Sequence, residues 1–236
     1  MTPQQKKFDF EENWQNKLSK GIDQNLGEGT SQEILVGGES LSDESPASEK
    51  ITWTCQALDR LAQNTDEKTR QEILTECACQ YPVEDLQDVK TAYRQNRDVE
   101  QAINMLQGKF EAFLRETLDL DEKLVQIILA KGWGVAGVWD AERNRIISTK
   151  IPKSGFLRQY FDENDPLQKR RYYCHCPRVR DGVDDEPVLP LSYCYCGAGF
   201  YKGIWEEILG EPVEVEMLES VIQGDEVCKI KIELPK

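Results

Sequence analysis

The spacing of apolar residues changes near Lys131, and this change limits the fold more than any other feature of the sequence. Between Ile51 and Leu129, apolar side chains recur every three or four positions, which is the repeat of amphipathic helices. The last strand instead alternates: Cys228, Ile230, Ile232 and Leu234 share one face, and charged residues share the other. The sequence therefore predicts an α+β fold, in which an N-terminal helical layer packs on a C-terminal antiparallel sheet with helices.

Composition divides the chain into three predicted regions. Residues 1–48 are rich in Gly, Ser and Glu, so we expect them to be disordered or weakly ordered, with a short helix over Phe8–Leu18 as the alternative. Residues 49–130 form the helical region. Residues 131–236 form an α+β region with two short strands turned at Ala141–Asn144, a helix closed by Gly210, and two final strands joined near Gly224.

Net charge and hydropathy exclude several classes of partner. The 236-residue chain carries a net charge of −14, which argues against binding to nucleic acid or to an anionic membrane surface. No stretch approaches the roughly 18 to 20 apolar residues that a membrane span needs, and the start lacks the apolar core of a signal peptide. The expected location is the cytoplasm. The sequence does not distinguish a monomer from an oligomer.

Six of the eight cysteines occur in Cys-x-Cys pairs, which points to metal binding or thiol chemistry rather than to disulfides. In an extended chain, residues two apart share a face. Two such segments brought together would therefore offer four thiols to one ion, and zinc prefers about four ligands in a tetrahedron. The predicted zinc ligands are Cys174, Cys176, Cys194 and Cys196.

Three other residues are alternative ligands. His175 replaces a cysteine if the first motif lies in a turn, and Cys77 and Cys79 contribute if their helix ends between them. Packing in the core is the competing interpretation for all the cysteines, and it dominates for Cys55 and Cys228.

Basic residues surround the first motif, with no acidic residue from Gln168 to Arg180. Positive neighbours favour thiolate and lower the pKa of a cysteine. The same cations could hold an anionic small molecule, or they could form an ordinary basic surface. The predicted ligand-binding residues are Arg171, Arg178, Arg180 and Tyr201.

The last forty residues resemble the end of a 4-vinyl-reductase-type domain. The matching features are Cys196, the helix from Gly199 to Gly210, the strand Val213–Leu218, the Gly224–Asp225 turn and Cys228. The resemblance implies an antiparallel sheet packed on helices, a small-molecule pocket and a cysteine-bound metal. From about Trp53 the chain also resembles uncharacterised bacterial cysteine-rich proteins that carry the CHCPR and CYCGAG motifs.

The leading hypothesis is a cytoplasmic protein that binds a metal, zinc, through the paired motifs and a small anionic or apolar molecule in an adjacent pocket. A thiolate-dependent enzyme, either a hydrolase or a redox protein, is the second hypothesis. A regulatory or scaffold protein that recruits a partner through its N-terminal segment is the third.

Overall fold

A computed structural model describes residues 8–184 and 188–235 and shows an α+β architecture. The helices are α1 (Phe10–Leu26), α2 (Thr30–Ile34), α3 (Ala47–Asn64), α4 (Glu67–Glu76), α5 (Gln87–Asn96), α6 (Val99–Ala112), α7 (Glu122–Ala130), α8 (Leu157–Asp162), α9 (Pro166–Tyr173), α10 (Pro177–Gly182) and α11 (Tyr195–Leu209). The strands are β1 (Val138–Asp140), β2 (Arg145–Thr149), β3 (Glu214–Glu219) and β4 (Lys229–Glu233). The predicted fold class is confirmed.

The four strands form one antiparallel sheet in the order β1-β2-β4-β3. The predicted turn over Ala141–Asn144 joins β1 to β2, and β4 then pairs with β2 across a long separation in sequence. The predicted alternation in the last strand is confirmed, since Cys228, Ile230 and Ile232 are all buried. The sheet therefore brings the end of the chain beside the segment that follows β2.

Local sequence explains where many of the helices begin and end. Five of the described helices start after an aspartate whose carboxylate accepts a hydrogen bond from a backbone N–H in the first turn. That N–H has no acceptor within the helix itself. These residues are Asp9, Asp66, Asp98, Asp121 and Asp165. Helix α11 ends at Gly210, whose φ of 72° lies in the left-handed region that glycine adopts without strain.

Helix α11 connects the two parts of the fold, because it contacts α4 and α5 as well as β3 and β4. Its closest approach is to α4, where Gly199 faces the carbonyl of Thr75. The contact requires glycine, since a Cβ at this position would lie 2.0 Å from that oxygen. The start of α11 is thereby held against the end of α4.

The N-terminal segment is more ordered than its composition predicts. Trp14, Leu18 and Ile22 on α1 are buried in the core, and α1 packs on α2 and α4. The expectation of weak order is wrong for α1 and α2, because three large apolar side chains on one helix face bury enough surface to offset the cost of ordering. The alternative helix near Phe8–Leu18 was the better prediction, although α1 extends to Leu26. None of the described helices is both long enough and apolar enough to cross a membrane.

Candidate functional site

The first cysteine motif lies in a short extended link between two helices. Cys174 follows α9 with φ −71° and ψ 130°, and Cys176 precedes α10 with φ −76° and ψ 123°. Cys174 is buried, and the Cys176 Sγ lies 3.1 Å from the Tyr193 Oη. His175 between them is exposed, and its Nε2 lies 2.9 Å from the Ile151 carbonyl oxygen. The motif thus directs its two cysteines inward and its histidine away from them.

The Pro, Gly and Asp content of the segment after the first motif predicts a loop, and this prediction is wrong for Pro177–Gly182, which form α10. Pro177 occupies the first helical turn, where its missing N–H costs nothing and its fixed φ suits the helix. Residues 185–187 of the predicted loop lie outside the described residues.

The second motif does not repeat the extended geometry that we expected. Cys194 ends a 3-10 turn over Leu191–Cys194, and Cys196 lies in the first turn of α11. Residues two apart on a helix point about 200° from each other, because each residue advances the helix by about 100°. The Cys194 Sγ accepts a hydrogen bond from the Ser220 Oγ at 3.3 Å, whereas the Cys196 Sγ donates to the Cys77 carbonyl at 3.4 Å. The two thiols therefore face different surroundings.

Seven of the eight cysteines nevertheless gather in one region, which we call the thiol cluster. Thiolates at Cys176, Cys228 and Cys194 would repel one at Cys174, so these four sulfurs share a neighbourhood. Cys196 has Cys176 and Cys79 as its thiol neighbours, and Cys77 lies beside Cys196. The members are Cys77, Cys79, Cys174, Cys176, Cys194, Cys196 and Cys228. Cys55 lies apart, with its Sγ 3.8 Å from the Val188 carbonyl oxygen.

The alternative ligands behave differently from one another. Helix α4 ends at Glu76, so Cys77 and Cys79 lie just beyond it, and both reach the thiol cluster from that position. His175 points to a backbone carbonyl instead. Partial removal of its ring from water, and then the nearby Lys150 ammonium, lower the pKa of His175 to about 4. At neutral pH its Nε2 is therefore the donor in the hydrogen bond to Ile151.

Burial keeps five thiols of the cluster protonated, those of Cys77, Cys174, Cys194, Cys196 and Cys228. Removal from water raises the pKa of Cys194 and of Cys196 to about 12, and it raises the pKa values of Cys174 and Cys228 as well. This corrects the expectation that basic neighbours would favour thiolates. Loss of hydration outweighs the attraction of positive charge here.

The arginines of the first motif are also engaged elsewhere. Arg178 is buried in an ion pair with Glu11 of α1, and its guanidinium lies 4.6 Å from the centre of the Trp14 ring. Arg170 pairs with Asp184, and Arg180 pairs with Asp181. A carboxylate therefore compensates each of these three cations.

The four predicted ligand-binding residues have different surroundings. Arg178 and Arg180 are paired as described, and the Arg171 Nε is buried without a hydrogen-bond partner. Tyr201 is buried in the core with its hydroxyl 3.5 Å from the Gly134 carbonyl oxygen. Two surface depressions, one beside Asp98 and Met105 and the other beside Gly37 and Trp53, include no cysteine.

Lys150 is a positively charged residue beside the thiol cluster. Burial raises the pKa values of Cys174, Cys194, Cys196 and Cys228, and the Lys150 ammonium opposes part of that rise at each of them. Its Nζ would lie 3.3 Å from a Cβ placed on Gly197, near the start of α11. Sequence analysis missed this lysine, because nothing in its local sequence separates it from a surface residue.

Helix α1 covers one side of the thiol cluster. The Lys17 Nζ donates to the Ala78 carbonyl at 2.6 Å, between Cys77 and Cys79. The ring of Trp14 lies 5.7 Å from that of Tyr193, whose hydroxyl faces both Cys176 and Arg178. The segment expected to be weakly ordered thus shields the thiols from water.

The described residues hold no group of three or more His, Cys, Asp or Glu side chains arranged to hold a metal ion. The thiols share a neighbourhood, but four of them face separate hydrogen-bond partners, namely those of Cys77, Cys176, Cys194 and Cys196. A four-ligand site would therefore need rotations of the cysteine side chains.

Comparison with known proteins gives two partial matches. Residues 150–236 match a family of unknown function, DUF6144, and this region begins at Lys150 and contains five of the clustered cysteines. A 62-residue segment, 26% of the chain, is 34% identical to the uncharacterized protein MJ0745 of Methanocaldococcus jannaschii. The chain covers about a third of that relative's length (32%). No solved structure matches.

Proposed function

We propose that the thiol cluster binds one metal ion, zinc, and that the metal ties the end of the chain to the helical layer. The observation that carries the proposal is the meeting of buried thiols from two separate motifs beside one lysine ammonium. The sequence-predicted ligands Cys174, Cys176, Cys194 and Cys196 all belong to this cluster. Sulfur ligands select zinc over harder cations such as magnesium or calcium.

Rotating the cysteine side chains costs little free energy compared with the free energy that metal binding releases. A net hydrogen bond contributes about 0.5–1.5 kcal/mol, and the bonds of Cys194 and Cys196 are to a hydroxyl and a carbonyl. Structural zinc in small domains binds with roughly 10–16 kcal/mol at neutral pH. The cluster therefore suits zinc in the number and location of its sulfur atoms. The cysteine side chains would adopt the ligand geometry when the metal binds.

A structural role follows from the donor set. Four sulfurs fill the tetrahedron that zinc prefers and leave no position for a substrate. The neutral, buried thiols likewise give little support to the alternative of a thiolate enzyme, because the thiolate is the nucleophile. The predicted cytoplasmic location belongs to this proposal, since a reducing compartment keeps thiols available for metal.

The small-molecule pocket implied by the 4-vinyl-reductase-type resemblance stays a prediction from sequence. Arg178 and Arg180 each pair with a carboxylate and give it no support beside the cysteines. A thermal-shift screen with small carboxylates and apolar ligands would test it separately from the metal.

The test of metal binding is elemental analysis of the full chain purified without added metal. We expect about one zinc ion per chain, and zinc-edge X-ray absorption dominated by sulfur. Cys174→Ser and Cys194→Ser should lose the zinc, while Cys55→Ser, outside the cluster, should retain it. A wild-type protein that stays free of metal after incubation with zinc, with all its thiols open to alkylation, would overturn the proposal.

A further inference from the structure

Helix α1 is held on the rest of the protein by charged side chains as well as by its apolar face. Glu11 pairs with Arg178, which lies just after the first cysteine motif, and Lys17 bonds to the Ala78 carbonyl. We propose that α1 is a cover that opens as a unit while the sheet stays folded, and that the Glu11–Arg178 ion pair controls how often it opens. This inference goes beyond the proposed metal binding and does not depend on it.

The ion pair favours two arrangements of α1, closed and fully open. The Glu11 side chain is 3% exposed and the Arg178 side chain 9% exposed, and both carboxylate oxygens contact the guanidinium. A buried charge that loses its partner is strongly destabilising, whereas both charges are hydrated once α1 has left its place. A partly separated pair is therefore disfavoured, so the helix opens in one step.

The ion pair is connected to the thiol of Cys176. The Arg178 Nη1 donates to the Tyr193 Oη at 3.2 Å, and that hydroxyl lies 3.1 Å from the Cys176 Sγ. Trp14 of α1 packs over both partners, because its ring lies 4.6 Å from the Arg178 guanidinium and 5.7 Å from the Tyr193 ring. When α1 opens, water therefore reaches the hydroxyl and the neighbouring sulfur.

Lys17 holds the same helix on the segment that follows α4. Its Nζ donates to the Ala78 carbonyl at 2.6 Å, and the preceding carbonyl, that of Cys77, accepts the Cys196 thiol at 3.4 Å. The net contribution of such a bond to stability is modest, because water can replace it. This contact therefore orients α1 without preventing its release.

The C-terminal end of α1 stays attached to α2 in the open state. The Asp23 carboxylate accepts the N–H and the hydroxyl of Ser31, at 2.8 and 2.9 Å. Between the two helices, Gly27 and Gly29 have φ values of 109° and 89°, in the left-handed region that favours glycine. These glycines absorb the change in backbone angle, so α1 pivots at this end.

Cys228 lies on the part of the protein that stays folded. Its N–H donates to the buried Tyr173 hydroxyl at 2.9 Å, and its carbonyl accepts the Lys150 N–H at 3.0 Å. The same Tyr173 hydroxyl donates to the Lys150 carbonyl at 2.6 Å. Since none of these three bonds involves α1, Cys228 remains protected while α1 is open.

The experiment measures how fast N-ethylmaleimide alkylates each cysteine of the full chain, by mass spectrometry, with a chelator present to remove metal. Glu11→Gln keeps the shape of the side chain but removes its charge, so Cys176 should react at least about tenfold faster. Ile146→Val, in the buried face of β2, destabilises the sheet alone. It should accelerate the alkylation of Cys228 about two- to tenfold and leave that of Cys176 unchanged. An unchanged Cys176 rate in Glu11→Gln, or equal acceleration of both thiols in Ile146→Val, would overturn the proposal.

The wild-type protein decides the matter if Glu11→Gln does not fold. Opening of α1 exposes less surface than unfolding of the whole chain, so the alkylation of Cys176 should depend less steeply on urea than that of Cys228. Hydrogen exchange should likewise show one shared opening for the amides of α1, with a weaker urea dependence than the amides of β4. Equal urea dependence of the two thiols would mean that α1 leaves only when the sheet unfolds, which contradicts the proposal.

Discussion

The two Cys-x-Cys motifs have the same spacing but opposite consequences for their thiols. In the first motif an extended backbone turns Cys174 and Cys176 toward the cluster, with His175 pointing away. In the second, a helical backbone separates Cys194 from Cys196 and gives them different partners. The comparison teaches that spacing alone does not define a binding site, because the direction of each side chain depends on the backbone between them.

The two motifs are also held in place by different kinds of interaction. The first is anchored by polar contacts: Arg178 pairs with Glu11, and Tyr173 bonds to Lys150 and Cys228. The second is anchored by close packing of α11 against α4 at Gly199. Substitutions in each anchor therefore test whether the two motifs depend on different physical interactions.

The largest effect should come from the buried ion pair behind the first motif. Glu11→Ala leaves the Arg178 guanidinium buried without its carboxylate, and loss of one partner of such a pair costs about 3–5 kcal/mol. Urea unfolding measures the change. Asp181→Ala, which removes the more exposed partner of Arg180, is the control and should cost at most about 1 kcal/mol. Similar small losses in both variants would show that α1 does not anchor this motif.

Packing at the second motif should give the next largest effect. Gly199→Ala places a methyl group against the Thr75 carbonyl and the Ala78 side chain, so α11 must shift from α4 at a cost of about 1–3 kcal/mol. Gly203→Ala in the same helix meets nothing within 4 Å. It should stabilise the protein by up to about 1 kcal/mol, since alanine favours the helix. If both variants unfold at the same urea concentration, the close contact is not what positions Cys196.

Tyr173→Phe should have a moderate effect on the first motif. It removes the hydroxyl that joins Lys150 to Cys228 and leaves a buried carbonyl and a buried N–H without this partner. The expected loss is about 1–3 kcal/mol. Tyr172→Phe, whose ring packs on Phe156, is the matched control and should lie within about 0.5 kcal/mol of wild type. Hydrogen exchange at the Cys228 amide should also accelerate in Tyr173→Phe alone.

The alkaline stability of the metal-free protein tests the burial of the second motif's thiols. The pKa values of Cys194 and Cys196 rise from about 9 in the unfolded chain to about 12 in the folded protein, because the thiols are buried. The unfolded state therefore releases protons first, and the stability present below pH 9 is lost as the pH rises toward 12. A Cys194→Ser, Cys196→Ser double variant should show a shallower decline in unfolding free energy over this range. Cys79→Ser, at an exposed site, should follow wild type.

Local pattern was sufficient to predict several elements of the C-terminal half, but not α10 or the helical backbone of the second motif. The hairpin at Ala141–Asn144, the helix closed by Gly210 and the buried alternation from Cys228 to Ile232 were all correct. Each depends on contacts between residues near in sequence, or on one buried face, and both leave a periodic signal. The same approach failed for α1, since Gly- and Ser-rich flanks obscured its single apolar face.

The sequence by itself determined that the fold would be α+β. Only the tertiary structure decided which thiols meet, that Cys228 and Lys150 belong with them, and that burial outweighs basic neighbours in keeping the thiols protonated. The physical reason is distance along the chain. Periodicity reports which face of an element is buried, but the partners on that face come from β4, α1 and the segment after β2, and no local pattern encodes those pairings.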